Sequence, residues 1–176
     1  MKPSRYHPLQ AALHWISAVL IVFSLMMGTL YLKHLPNTAD KVFPLRAHLI
    51  IGLLVGLLTL ARLVSASLLP QPERAMAGNG LLARLAAFVR TGLYVAILGM
   101  VLSGIVMTLH KNFPETLQFG MDTPLPHAFW HSFRMAHTVF AYVLMALTGV
   151  HVAAALFHQF IRKDHLLSRM WPVRPR

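Results

Sequence analysis

The stretch MAHTVFAYVLMALTGVHVAAALFHQF, Met135 to Phe160, contains no Asp, Glu, Lys or Arg, yet it holds three histidines: His137, His151 and His158. A helix needs about 20 mostly apolar residues to cross the hydrocarbon core of a bilayer, and this run is long enough. An imidazole at that depth must face a partner or a cavity, because hydrocarbon offers it nothing. The rest of the chain agrees with a membrane reading. Of 176 residues, 56% are hydrophobic and 12% charged, with a mean hydropathy of +0.58. A soluble domain carries about twice that charged fraction. No cysteine is present, which excludes disulfides, iron–sulfur clusters and thiolate zinc sites. The formal charge is +11, but the basic residues gather at span ends and in loops, with no aromatic-interleaved basic face. Nucleic acid is therefore not an expected partner.

Three more apolar runs accompany the first. The chain is free of formal charge between Arg5 and Lys33, carries only Arg46 and Arg62 from Leu45 to Leu69, and is again uncharged between Arg90 and Lys111. The expected spans are residues 9–32, 45–69, 82–109 and 131–161. Barrel strands are about half as long and alternate in polarity, which these runs do not. The loops HLPNTADKVFP, LPQPERAMAGNG and HKNFPETLQFGMDTPLPHAF separate them. The first run is too long for a signal peptide and lacks a small-residue cleavage site, so it reads as a retained span. Four spans put both termini on one side. Lys2, Arg5, Arg74, Arg84, Arg162, Lys163, Arg169, Arg174 and Arg176 share that side; Lys33, Lys41, Arg46, Lys111 and Arg134 lie opposite. The excess points to cytoplasmic termini. The expectation is an all-α membrane protein: one domain over residues 1–176, a four-transmembrane-helix bundle.

Span direction sets the depth of each histidine. His14 is early in span one, toward the inside, and His48 is early in span two, toward the outside. His137 begins span four at the outer face and His151 lies deeper. Fourteen residues at about 100° each return to within about 40° of the start, a rise of about 21 Å. His137 and His151 thus face one way at two depths, and the pairs His48/His137 and His14/His151 result. Two imidazoles from different helices at matching depth suit the two axial positions of a haem iron. Gly52 and Gly149 would leave room beside them. Haem propionates need cationic partners. Arg46 and Arg134 sit just before the outer ligands, where they could equally snorkel to the headgroups, and Arg62 follows His48 by fourteen residues at the inner level. Arg90 lies at the inner level too. His158 faces like His151, near the inner surface, where it could bond a propionate or a quinone carbonyl or be simply interfacial. His7, His34, His110, His127, His131 and His165 read as interfacial side chains.

These residues resemble the bacterial cytochrome b561 family of di-haem membrane cytochromes. The matching pieces are LHW at Leu13 to Trp15, RAHLIIG around His48, the Arg62 that follows, and GVHVAAALFHQFIRKD with His137 upstream, so that the likeness spans essentially the whole chain. The resemblance implies two haem b groups ligated by His14, His48, His137 and His151, and electron exchange with the quinone pool of the bacterial inner membrane. Its superoxide oxidase subgroup passes electrons from periplasmic superoxide to ubiquinone. One member of that subgroup carries a histidine near the start of span three, where this chain has Ala87 and Arg90.

Other functions are weighed against the same residues. A haem-bearing anchor for a separate dehydrogenase or hydrogenase subunit would use a similar bundle, but the short loops offer little docking area. A histidine relay for protons or metals would need intramembrane carboxylates, which the spans lack. A purely structural bundle leaves the intramembrane histidines unexplained. The leading expectation is a quinone-linked oxidoreductase in which a small outer donor, such as superoxide, reduces the outer haem and ubiquinone takes electrons from the inner one.

Overall fold

The computed structural model describes residues 3–36, 38–72, 80–109 and 127–171, with the backbone alone at 127–131. Lys2, Arg74, His110, Lys111, Glu115, Asp122, Arg174 and Arg176 lie outside the described residues, as do the side chains of His127 and His131. Among the described residues every regular element is helical.

Four long helices carry the fold: α1 (Pro8–Met26), α2 (Val42–Leu68), α3 (Gly80–Thr108) and α4 (His127–Leu156). The segments Pro8–Leu32, Ala39–Leu68, Gly80–Thr108 and Ser132–Arg162 have mean hydropathies of 2.0 to 2.3, long and apolar enough to cross a membrane. By length and composition this is a multi-pass membrane protein. Large apolar side chains such as Val19, Leu57, Val139 and Phe160 are accordingly exposed.

The start of α1 is written locally. Pro8 occupies the first turn, where its missing N–H is no loss. The Leu9 N–H donates to His7 Nδ1 at 3.2 Å and the His7 N–H to Gln10 Oε1 at 3.3 Å, closing a reciprocal cap. α2 begins at Val42, ahead of residue 45, because the 3₁₀ turn Ala39–Lys41 feeds directly into it. Inside the bundle, hydroxyls satisfy themselves on their own helices. Ser17 and Thr59, both fully buried, donate to Leu13 O and Val55 O at 2.6 and 2.7 Å.

α3 packs most extensively on α4, α1 on α2, and α2 on α3. Glycines make the close approaches: a Cβ at Gly56 would meet Val101 at 3.0 Å, one at Gly92 would meet Leu147 at 3.0 Å, and one at Gly99 would strike the Phe140 ring. Gly92 and Gly99 are seven residues apart, as are Phe140 and Leu147, so one stripe of α3 receives one stripe of α4. The core joins Ile21, Leu25, Val55, Ala96, Ile97, Ala141 and Leu144 from all four helices.

α1 and α4 both end in π-helical turns, Met27–Leu32 and Phe157–Arg162. The second leads into Lys163 and His165, both in the left-handed region at φ 54° and 55°. The 3₁₀ turn Leu166–Met170 then folds back onto α1. There Trp15 Nε1 donates to Met170 O at 2.9 Å, the Tyr6 N–H donates to Arg169 O at 3.1 Å, and Trp15 meets Trp171 edge to face.

Candidate functional site

The intramembrane histidines meet in two pairs. The rings of His48 on α2 and His137 on α4 have their centres 6.3 Å apart at 74°; those of His14 on α1 and His151 on α4 are 6.2 Å apart at 65°. Each pair bridges two helices that barely touch each other directly. Two metal–imidazole bonds of about 2.0 Å, with about 1.1 Å from each ligating nitrogen to its ring centre, add to about 6.2 Å. By separation alone, each pair has room for one ion between its rings. Among the described residues no cluster of three or more His, Cys, Asp or Glu could hold a metal ion.

The His48/His137 pair also has open space beside it. A cavity of about 310 Å³ opens between His48 and His137, walled by Ile21, Leu25, Val55, Ile97 and Val101. Gly52 lines it, and a Cβ there would meet no protein atom within 4 Å. A Cβ at Gly28 would press on His48 Cε1 at 3.3 Å, and one at Gly104 would reach His137 Cε1 at 3.5 Å. These two glycines let α1 and α3 close against the edges of the two rings. At Gly149 a Cβ would likewise meet nothing within 4 Å.

Hydrogen bonds orient the rings. His137 Nδ1 lies 3.0 Å from Met100 O and 3.0 Å from Ser103 Oγ. A carbonyl only accepts, so the proton sits on Nδ1 and the Nε2 lone pair is left for a metal. His48 Nδ1 is 3.3 Å from Ser24 Oγ. At the inner level the neighbour is a cation: an Arg62 Nη is 3.2 Å from His14 Nδ1, and the guanidinium lies 5.5 Å from the centre of the Tyr94 ring.

Arg46, Arg134 and Arg90 are exposed. Arg62 is half-buried and reaches His14. His158, only 4% exposed, donates from Nδ1 to Asp164 Oδ2. Burial works against the Asp164 charge, but the hydrogen bond and charge of His158 outweigh it and hold the carboxyl below its ordinary value. Next to this pair, Gln159 Oε1 is buried with no hydrogen-bond partner among the described residues. Ser24, Gly28, Ser103, Gly104 and Asp164 were not singled out by sequence reasoning. Their one signal is spacing, since Ser24 and Gly28 lie one turn apart, as do Met100 and Gly104. Tyr94 lies under the Arg62 guanidinium.

A family model for prokaryotic cytochrome b561 matches residues 5–173. The chain belongs to this family. A b-type haem is what membership implies. Among its relatives, the probable superoxide oxidase CybB of Yersinia pestis is 24% identical over 176 residues, covering 97% of each chain. Cytochrome b562 of Cereibacter sphaeroides is 29% identical over 175 residues, covering 97% of this chain and 96% of its own. Cytochrome b561 homolog 2 of Escherichia coli K12 is 30% identical over 179 residues, covering 96% and 92%. No solved structure matches the chain.

Proposed function

We propose that this cytochrome holds two haem b groups, one between His48 and His137 and one between His14 and His151, and moves electrons from a small outer donor to ubiquinone. The observation that carries the reading is the pair of ring separations, 6.3 and 6.2 Å, each joining two different helices. The haems supply one-electron chemistry; the chain supplies position, a dry surrounding and charge.

The preferred donor is superoxide, in keeping with the name of the Yersinia relative. Two superoxide anions each give one electron and leave as dioxygen, and ubiquinone takes the two electrons and two protons to become ubiquinol. Lys33, Lys41, Arg46 and Arg134 against Asp40 leave the described outer face positive, which steers an anion to the outer pair. Arg46 and Arg134 would pair propionates at the outer level and Arg62 at the inner. His158, held by Asp164 beside the inner surface, would present its ring to the quinone. This orientation has the termini in the cytoplasm and the bundle in the inner membrane.

Stopped-flow mixing of the haem-loaded protein with superoxide and ubiquinone tests the reading. Haem reduction at a rate that falls as salt rises, followed by ubiquinol formation, is the expected result. Haem that superoxide does not reduce would eliminate that donor, and reduced haem that ubiquinone does not reoxidise would eliminate the acceptor.

A further inference from the structure

Ubiquinone takes up two protons with its two electrons, and the hydrocarbon core holds no water to give them. A protein group that reaches both water and the bilayer interior has to deliver them. His158 and Asp164 are placed to do so. The His158 side chain is 5% exposed and the Asp164 side chain 32%, so the bonded pair runs from a buried imidazole to a carboxylate that water reaches. His158 lies 21 residues beyond His137 on one continuous helical run, about 31 Å at about 1.5 Å per residue. That length matches the hydrocarbon core. The water that meets Asp164 is therefore on the side opposite the His48/His137 pair. Asp40, the other acid among the described residues, lies at the outer end.

The chain bends to hold this pair. Lys163 and His165, on either side of Asp164, lie in the left-handed region at φ 54° and 55°, which residues other than glycine enter at a cost. The turn brings the Asp164 N–H back to His158 O at 3.3 Å, so backbone and carboxylate close on the same residue.

Resting on the ubiquinone reading above, we infer that His158 and Asp164 supply ubiquinone with protons drawn from the inner side, so that electrons and protons reach it from opposite faces of the membrane. A neutral ring whose Nδ1–H is on Asp164 offers only a lone pair at Nε2. The imidazolium carries a proton there, and the Asp164 carboxylate is the counter-charge that a buried imidazolium needs. His158 gives that proton to a quinone oxygen, returns to the neutral ring and is reloaded from inner water. For each ubiquinol two N–H bonds break and two O–H bonds form, and two superoxide anions supply the two electrons. Asp164 acts through His158 and is a positioning residue. The consequence reaches beyond removal of superoxide. Negative charge moves inward while protons are consumed inside, so each turnover charges the membrane.

Proteoliposomes test this, because superoxide generated outside reacts only with molecules whose outer face points outward, and the lumen then stands for the inner side. Ubiquinone is placed in the bilayer and a pH dye in the lumen, with valinomycin and potassium to discharge the potential. Ubiquinol formation should make the lumen alkaline, with about two protons lost from it per ubiquinol. Asp164→Asn, which keeps an acceptor for Nδ1–H but removes the charge, should slow reoxidation of reduced haem by ubiquinone about tenfold, less than the full worth of a positioned acid. Half-saturating ubiquinone, haem content and the rate of haem reduction by superoxide should be unchanged. Asp164→Glu, which restores the charge, should recover most of the rate. Should Asp164→Asn lose haem, the lumen measurement on the unaltered protein decides alone. Ubiquinol formed without lumen alkalinisation, or reoxidation at the original rate in a haem-replete Asp164→Asn protein, would overturn the inference. Absence of ubiquinol from the unaltered protein would instead overturn the function proposed above.

Discussion

The outer and inner halves of the bundle hold the same pair of side chains in different ways. Around His48 and His137 the protein is small and neutral: Gly28 and Gly104 fit against ring edges, Gly52 leaves open space, and hydroxyls and a carbonyl take the second nitrogens. Around His14 and His151 it is large and charged, with Arg62 on one ring, Trp15 packed edge to face on the same ring 5.5 Å away, and a hooked tail beneath. The contrast teaches that two matched imidazole pairs need not have equivalent surroundings. The His48/His137 half is apolar and open, and the His14/His151 half carries a charge.

The sharpest break between the halves is removal of one ligand at a time. His48→Ala and His14→Ala should each lose one haem and keep the other, with helix content by circular dichroism unchanged. Loss of both haems from either variant would show that the halves are not separable. Next in size is Gly99→Ala, which belongs to both halves because it seats α3 on α4. Its Cβ would meet the Phe140 ring at 2.5 to 2.7 Å, and overpacking of this kind destabilises by about 1–3 kcal/mol. Thermal unfolding in detergent checks it. Gly28→Ala is more selective. It presses only on His48 Cε1, so haem loss confined to the outer centre is expected, and equal loss at both would blur the comparison.

Smaller effects belong to the inner half alone. Trp15→Phe removes the bond to Met170 O, worth about 1 kcal/mol, and should quicken proteolysis of the tail without touching outer haem content. The smallest is a pH effect. Asp164 titrates below its ordinary value of 3.8, so its contribution to the hook is complete above that pH and is lost as pH falls through the lowered value. Tail protection should decline as the pH falls below about 4. Asp164→Asn should remove the dependence.

Much of this contrast lies outside what sequence can express. The spans were legible because stretches free of charge match the bilayer, and the depth of each ring follows from the direction of its span. The fourteen-residue step from His137 to His151 is a property of any helix. The neighbours of Nδ1 were not legible, because Ser24 and Ser103 look like ordinary small residues of membrane helices until the register between helices is known. Nor could the partner of His158 be read. Asp164 reaches it through a turn with Lys163 and His165 in the left-handed region, and no glycine marks either position. The π-helical turn at Met27–Leu32, which holds the Gly28 seated against His48, carries no sequence signature either.

The most direct test of the central claim is haem stoichiometry: pyridine haemochrome per polypeptide on the detergent-purified protein, with a dithionite-reduced minus oxidised spectrum. Two b-type haems per chain are expected, one for each imidazole pair. A folded protein with one haem or none would contradict the account, because at least one pair of facing rings would then have no iron to hold.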